Sequence, residues 1–258
     1  MSRPTLVGVV HLLPLPGAPR PSPGLPAVLE RAAADARALA AGGADAIIVE
    51  NLGDAPFART DVGPATVAMM TRAADAVRQA APGCELGINV LRNDALAAVG
   101  IAAAVGAGFV RINVHVGAMV TDQGVVEGDA RATLLERNRL GAPVRIVADV
   151  LVKHAAPLGA WSLVDAARDT AERGGADVLV VTGSGTGRPT DPADLRAVQQ
   201  AVPGVPVWVG SGLVPAEVPR FAPLQGAIVG TWLHRDADLA APVDPERVRA
   251  VRAALDAQ

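Results

Sequence analysis

Short apolar runs alternate with longer alanine-rich stretches along most of the chain. Eight runs rich in valine, isoleucine and leucine have the length and composition of buried β-strands. Most are followed by residues with helical apolar spacing, and several of these stretches end at glycine. The predicted strands are Thr5–Val10, Asp45–Glu50, Glu85–Val90, Gly108–Val114, Val144–Val150, Ala176–Thr182, Pro206–Ser211 and Gly226–Gly230. The clearest predicted helices are Pro26–Ala41, Asp94–Val105, Ser162–Arg173 and Asp191–Ala201.

A strand followed by a helix, repeated about eight times, predicts a closed parallel barrel. A length of 258 residues suits one such domain, so we expect residues 1–258 to form a single α/β domain, a (β/α)8 TIM barrel. The alternative is an open doubly wound sheet. The chain lacks the Gly-x-Gly-x-x-Gly turn of that fold after its first strand, where it reads His11-Leu-Leu-Pro-Leu-Pro-Gly17.

Charge and cysteine content narrow the class of protein. The formal net charge is −3 and half of the residues are hydrophobic, so no nucleic-acid partner or anionic membrane surface is indicated. No run reaches the roughly 18 to 20 uninterrupted apolar residues that span a bilayer. The single cysteine, Cys84, is expected to be a buried, unreactive thiol. These features predict a soluble cytoplasmic protein without an integral membrane segment, and they leave homo-oligomer formation open.

The rarer polar residues gather where the predicted strands end. Lys153 is the chain's only lysine, and it follows the predicted strand that carries Asp149. All four histidines and four of the five asparagines lie at or just beyond strand-like runs. The active site of a barrel forms at the rim where its strands end. The sequence therefore predicts one polar site at this rim.

Two of these strands suggest a chemistry. Side chains alternate along a strand, so Arg111, Asn113 and His115 should share one face and point into the barrel mouth. The alternative is an internal ion pair between Arg111 and Glu50 or Asp149 that only fills the barrel. Asp149 and Lys153, an acid and an amine near one rim, form the leading catalytic pair for proton transfer, with a structural salt bridge as the alternative.

Other strand ends complete the predicted site. Glu50 is a candidate general base, while Asp94 is as readily explained as a helix N-cap. A metal held by Glu50, Asp149 and a nearby histidine ranks second, because the chain has no tight ligand spacing. The predicted catalytic set is His11, Glu50, Asn89, Arg111, Asn113, His115, Asp149 and Lys153.

The last three predicted strands end in glycine and hydroxyl groups instead of charges. Glycine allows backbone N–H groups to approach an anion closely, and barrels commonly bind phosphate in the loops after their seventh and eighth strands. We therefore predict a phosphate site at this corner. FMN, through its phosphate, is a weaker alternative, and no cofactor is predicted. The expected phosphate-binding residues are Gly183, Ser184, Gly185, Thr186, Gly210, Ser211, Gly212, Gly230 and Thr231.

Stretches spread over most of the chain resemble the BtpA-like family, which also includes the SgcQ-type proteins. The sequence departs from the family's usual pattern at Leu13, where a second proline is common. The resemblance implies a phosphate-binding α/β barrel, cytoplasmic or peripheral to a membrane. It also implies a link to photosystem I biogenesis for some members and to nucleosidase or sugar metabolism for others. The matching stretches are Val10–Gly17, Val49–Phe57, Gly87–Asp94, Val110–His115, Ala148–Ala155, Val181–Gly187 and Val209–Gly212.

Taken together, these features predict an enzyme that acts on a phosphorylated small molecule, a sugar phosphate or a phosphoribosyl compound. Proton transfer at the rim would serve an isomerase, a lyase using a Lys153 imine, or a nucleosidase. One alternative is a non-catalytic assembly factor of the photosystem I biogenesis type. The other is an FMN-binding barrel.

Overall fold

The computed structural model describes residues 3–183, 190–210 and 212–258. Eight parallel strands close into a barrel in the order β1-β11-β10-β9-β7-β4-β3-β2. The predicted (β/α)8 barrel is confirmed, and each barrel strand begins and ends within about two residues of its predicted limits. The barrel strands are β1 Thr5–His11, β2 Ala46–Glu50, β3 Glu85–Asn89, β4 Phe109–Ile112, β7 Arg145–Val150, β9 Val178–Thr182, β10 Val207–Gly210 and β11 Gly226–Val229.

Helices connect most of the barrel strands and bury one face against them. In the first helix, for example, Val28, Ala32 and Leu39 are buried at helical spacing. Asp94 caps the third helix, since its carboxylate accepts a hydrogen bond from the Ala97 amide at 2.9 Å. The helices are α1 Leu25–Ala41, α2 Gly63–Ala80, α3 Ala95–Val105, α4 Ala130–Arg139, α5 Leu163–Arg168, α6 Pro192–Ala201, α7 Val218–Phe221 and α8 Pro245–Asp256. A π-helical turn, Asp169–Arg173, continues α5.

The core has two layers. The larger apolar cluster lies between the strands and the helices, and a second cluster fills the barrel. Inside the barrel, Phe109 and Trp208 meet edge to face with ring centroids 6.4 Å apart. Because side chains fill the interior, only the rims of the barrel are free to hold polar groups. The residues that fill the barrel are Val7, Val9, Ala46, Ile48, Phe109, Val147, Val178, Val180, Trp208 and Ile228.

A small antiparallel sheet, absent from the predicted elements, lies beyond the carboxyl ends of β4 and β7. It consists of β5 Ala118–Thr121, β6 Gly124–Glu127 and β8 Ala156–Pro157, with β5 in the centre. From the sequence alone, Val116–Gly128, which contains three glycines, is predicted to be a long loop. The sheet forms because Met119 and Val126 pack with Val114 and Val152 in a separate apolar cluster.

The composition predicts a buried Cys84 thiol and no membrane-spanning segment. Cys84 is half-buried instead of buried, and its Sγ lies 3.3 Å from the Ala44 carbonyl oxygen. Burial raises the pKa of this thiol, which keeps it protonated and weakly nucleophilic. No helix within the described ranges is both long enough and apolar enough to cross a membrane.

Two glycine substitutions should have opposite effects on stability. A methyl group at Gly87 would lie 2.3 Å from the Phe109 ring inside the barrel, whereas one at Gly100, within α3, would meet no atom within 4 Å. We expect Gly87→Ala to lower the free energy of unfolding by about 1–3 kcal/mol through overpacking. Gly100→Ala should raise it by about 0.5–1 kcal/mol because alanine favours the helix. Urea unfolding of both variants gives the two values, and equal effects would contradict the packed interior.

Candidate active site

Strand register brings the predicted polar residues to one rim. In the barrel, β1 pairs with β2 so that His11 lies opposite Glu50, and β2 pairs with β3 so that Glu50 lies opposite Asn89. The next two strands around the barrel are β4, which carries Arg111, and β7, which carries Asp149. All five side chains belong to adjacent strands, and all five residues are largely buried.

The centre of this rim is an ion pair between Arg111 and Asp149. The guanidinium donates through Nε to Oδ1 at 3.0 Å and through a terminal nitrogen to Oδ2 at 3.1 Å. Asn113 donates to the same Oδ2 at 2.9 Å, and Asn89 donates to the Asn113 side-chain oxygen at 3.1 Å. The internal ion pair that the sequence left open is therefore present, with the predicted asparagines built into it.

Among the described residues, Glu50 lies beside this pair without a hydrogen-bond partner for its carboxylate. Its carboxylate oxygens are 3.9 Å from an Arg111 nitrogen and 3.9 Å from Nε2 of His11, distances too long for hydrogen bonds. Burial raises the pKa of Glu50, although Arg111 and Lys153 oppose the rise. A buried carboxyl with a raised pKa can both hold and release a proton near neutral pH, as a general acid or base must.

Lys153 stands on a turn that follows β7. Burial lowers the pKa of its ammonium, and the positive charge of Arg111 lowers it further. The electrostatic influence of Asp149 reaches Lys153, but within the described chain these two side chains form no ion pair within 4 Å. The structural salt bridge offered as the alternative for Asp149 and Lys153 is therefore not formed, since Asp149 is bound to Arg111; the catalytic role of the two residues stays a prediction.

The backbone around Lys153 is strained. Leu151 has φ of 51° and His154 has φ of 59°, a left-handed conformation that costs a residue other than glycine roughly 1–2 kcal/mol. The neighbouring structure holds these angles, since Val152 lies in the apolar cluster of the small sheet and β8 begins at Ala156. Strain of this kind is typical of positions where a side chain must be aimed at a site.

His11 is held by a second histidine, His234, which the predicted catalytic set did not include. Nδ1 of His234 lies 2.7 Å from the Ala241 carbonyl oxygen, so that nitrogen must carry a proton. Nε2 of His234 then accepts a hydrogen bond from Nδ1 of His11 at 3.1 Å. By this arrangement, Nε2 of His11 has a lone pair directed toward Glu50, 3.9 Å away. Burial, together with His234, lowers the pKa of His11 to about 3.

His115 does not join this site, and its predicted orientation is wrong. Strand β4 ends at Ile112, so the alternation that would place His115 beside Arg111 does not continue that far. The buried imidazole instead donates through Nε2 to the Gly174 carbonyl oxygen at 2.9 Å, just after the π-helical turn. This contact joins two connecting segments and has a structural role.

Several other polar residues at the rim also tie loops together. Asn51 accepts a hydrogen bond from the Leu91 amide at 2.8 Å. Asn93 both accepts from the Val114 amide and donates to its carbonyl oxygen, each at 2.8 Å. Arg92, next to Asn93, is a buried residue at the mouth that sequence reasoning did not include in the site.

Five of the nine predicted phosphate-binding residues can be placed. Gly183, Gly210 and Gly230 follow or end β9, β10 and β11, which are neighbours in the barrel, and Gly212 and Thr231 come shortly after. Ser184, Gly185, Thr186 and Ser211 lie outside the described residues. The buried Thr182 and Thr190 hydroxyls, on either side of residues 184–189, have no hydrogen-bond partner within the described chain.

Gly183, Gly210, Gly212, Gly230 and Thr231 together are called the glycine corner. This corner contacts the polar rim at two points. A methyl group at Gly230 would lie 2.7 Å from the His11 ring, and one at Gly210 would lie 3.8 Å from an Arg111 nitrogen. Glycine at position 230 is thus required by the packing of His11, whatever else it does. Two of the predicted phosphate-binding residues therefore lie next to two of the predicted catalytic residues.

The proposed metal ligands do not form a cluster. In residues 3–183, 190–210 and 212–258 there is no group of three or more His, Cys, Asp and Glu side chains arranged to hold a metal ion. Both oxygens of Asp149 already accept hydrogen bonds from Arg111 and Asn113.

Comparison with known proteins places the chain in a family. The model of the BtpA family matches residues 2–257. The chain belongs to the BtpA family. Photosystem I biogenesis protein BtpA of Synechocystis is 48% identical over 248 residues, which cover 95% of this chain and 85% of that protein. The resemblance seen in the sequence motifs is confirmed.

Solved structures with the same fold are more distant from this BtpA-family protein. Phosphoribosyl anthranilate isomerase from Thermus thermophilus has a TM-score of 0.58 at 14% identity, covering 98% of both chains. Orotidine 5'-phosphate decarboxylase from Pyrococcus horikoshii has a TM-score of 0.60 at 14% identity, covering 97% of this chain and 99% of its own. At this identity the likeness concerns the barrel fold alone.

The buried, neutral state of His11 predicts a pH dependence of stability. The unfolded imidazole takes up a proton below its ordinary pKa of 6.5, while the folded one does so only near pH 3. Stability from this group is complete above pH 6.5 and falls as pH drops toward 3. Unfolding of His11→Asn should therefore depend less on pH between 6.5 and 4, by up to about 1.4 kcal/mol per pH unit. Guanidinium unfolding at several pH values measures this slope.

The exposed residue His154 supplies the control for this measurement. His154→Asn removes one titrating imidazole from the chain and should change the slope far less than His11→Asn. Parallel pH profiles for the wild type and His11→Asn would contradict the buried neutral imidazole.

Proposed function

We propose that this BtpA-family protein is an enzyme that transfers protons on a phosphorylated small molecule at the carboxyl-end rim of its barrel. The observation that carries the proposal is the juxtaposition of a buried carboxyl, Glu50, and a largely buried amine, Lys153, around the Arg111–Asp149 pair. Such a grouping is expensive to bury and contributes little to stability that apolar residues would not supply.

Glu50 and Lys153 suit proton transfer because their pKa values are shifted toward each other. Burial raises the pKa of Glu50 and lowers that of Lys153, which narrows the ordinary gap between a carboxyl and an amine. A smaller gap lowers the cost of moving a proton from one group to the other through a bound substrate. In this proposal Glu50 and Lys153 exchange protons with the substrate. Arg111, Asn89 and Asn113 stabilise negative charge on its oxygens.

The phosphate of the substrate is assigned to the glycine corner. Gly183, Gly210, Gly212, Gly230 and Thr231 offer backbone N–H groups at neighbouring strand ends, next to His11 and Arg111. The two solved barrels described above act, by their names, on phosphorylated compounds, which supports this class of substrate for a barrel of the same shape. Isomerase, lyase and nucleosidase chemistry all fit this grouping.

Substitution of Lys153 should separate binding from chemistry. A panel of sugar phosphates and phosphoribosyl compounds is first screened for a rise in melting temperature, since a ligand of the native state must stabilise it. With a stabilising compound, Lys153→Arg should lower turnover about 10²–10⁴-fold, because guanidinium does not release its proton. The rise in melting temperature should persist. Proton exchange into deuterated water, followed by NMR, measures the reaction without knowledge of the product.

Arg173→Lys is the matched control, because the Arg173 side chain is 83% exposed and the side chain of its ion-pair partner Asp169 is also exposed. Borohydride treatment in the presence of a carbonyl substrate distinguishes an imine from simple proton transfer. The chain has a single lysine, so a side-chain adduct can form only on Lys153. Full turnover by Lys153→Arg would remove the lysine from the mechanism.

An assembly factor is the second candidate, favoured by one exposed apolar surface. Val120 and Val125 pair across the small sheet, Leu158 directly follows β8, and the three residues are 44%, 37% and 61% exposed. The Synechocystis relative is named for photosystem I biogenesis. Such a function would use a surface and would not need the buried groups of the mouth.

Complementation distinguishes the two candidates. In Synechocystis cells that lack that relative, an assembly function predicts that Lys153→Met restores photosystem I while the double variant Val120→Ser, Leu158→Ser does not. An enzymatic function predicts the reverse pattern. Photosystem I content per cell, measured by chlorophyll fluorescence at low temperature, gives the result.

A further inference from the structure

Arg92 is a buried cation at the barrel mouth without an acidic partner. Its residue exposure is 7%, and a terminal nitrogen donates to the Lys153 backbone carbonyl oxygen at 2.9 Å. Its Nε is buried and makes no hydrogen bond to any residue that the structure describes. In the described chain, no carboxylate lies within 4 Å of the guanidinium, although Asp149, Glu50 and the exposed Asp122 act on it from further away.

The other buried arginines of the described chain show what a structural arginine looks like in this protein. Arg111, with 7% exposure, pairs with Asp149, and Arg252, with 6% exposure, donates to Asp45 at 3.0 Å and to Asp256 at 2.5 Å. Burial of a guanidinium is costly unless a negative charge offsets it. Arg92 has the same burial without that offset, so its counterion is expected to come from outside the chain.

The balance of charges at the barrel mouth also indicates that an anion is needed there. The cations are Arg92, Arg111 and Lys153, and the buried acids are Asp149 and Glu50; Asp122, which also acts on Arg92, is exposed to water. Asp149 is committed to Arg111 through two hydrogen bonds. Glu50 lies 3.9 Å from Arg111 and, among the described residues, forms no ion pair within 4 Å with Arg92 or Lys153. The groups left over therefore carry a positive excess on the side of Arg92 and Lys153.

We propose that Arg92 binds a carboxylate of the substrate, so that the substrate is a phosphorylated carboxylic acid. This inference rests on the proposed function, because it adds a second anionic group to a ligand whose phosphate occupies the glycine corner. The Arg92 guanidinium is attached to the Lys153 backbone by its hydrogen bond, which keeps the two cations on one side of the mouth. A guanidinium matches the two oxygens of a carboxylate, and Lys153 beside it remains available for proton transfer.

Matched ligand pairs test this inference. In each pair one compound ends in a carboxylate and the other in an alcohol, with the phosphate and the chain length unchanged. The pairs are erythronate 4-phosphate with erythritol 4-phosphate, ribonate 5-phosphate with ribitol 5-phosphate, and 6-phosphogluconate with glucitol 6-phosphate. Calorimetric titration should show that the wild type binds the acid at least tenfold more tightly than the alcohol for at least one length.

Arg92→Gln should reduce that preference to within twofold and leave the affinity for the alcohol unchanged. Arg173→Gln, at the exposed position already described, should keep the wild-type preference. Circular dichroism checks the fold of Arg92→Gln. The comparison of acid with alcohol on the wild type needs no variant, so a misfolded Arg92→Gln does not prevent the test.

The outcomes separate this inference from the proposed function. Alcohols that bind as tightly as acids would overturn the carboxylate site and leave the phosphate site standing. A preference that survives Arg92→Gln would remove Arg92 from it. Failure of the wild type to bind either member of every pair would count against the phosphate site, and the carboxylate site would fall with it.

Discussion

The ion pair between Arg111 and Asp149 fixes the polar groups at the mouth of the barrel. It joins adjacent strands, and Asn113 and Asn89 extend it by hydrogen bonds toward β3. Because both charges are out of water, the loss of either one would leave the other uncompensated at a cost of about 3–5 kcal/mol. Both carboxylate oxygens of Asp149 accept hydrogen bonds from Arg111, so Asp149 is not available to a ligand. The groups that remain available for a ligand are those that it leaves without close partners, chiefly Glu50 and Lys153.

The small sheet over β4 and β7 gives the mouth its second constraint. Lys153 lies between two residues with left-handed backbone, Leu151 and His154, and such angles persist only where surrounding structure enforces them. Pairing of β8 with β5 and the burial of Val152 supply that enforcement. Packing in this apolar cluster thus holds the Lys153 amine above the barrel, whose interior is filled by apolar side chains.

Much of the site could be predicted from sequence position alone. Glu50, Asn89, Arg111 and Asp149 lie at strand ends, and parallel strands in a barrel must end at one rim. His115 was misplaced because the alternation rule was carried past the end of β4. Arg92 and His234 were missed for a different reason. Nothing local separates an arginine or a histidine in a loop from a surface residue until its burial and its partners are known.

The sequence by itself determined the barrel, its strand limits and the rim at which polar residues gather, because periodicity reports backbone conformation and burial. The family membership was also readable from motifs spread along the chain. Only the tertiary structure decided which acid pairs with which cation, which histidine tautomer faces Glu50, and that Arg92 has no acidic partner within 4 Å among the described residues. Those outcomes depend on differences of an ångström or two between residues far apart in sequence, and electrostatic and hydrogen-bond energies change steeply over such distances.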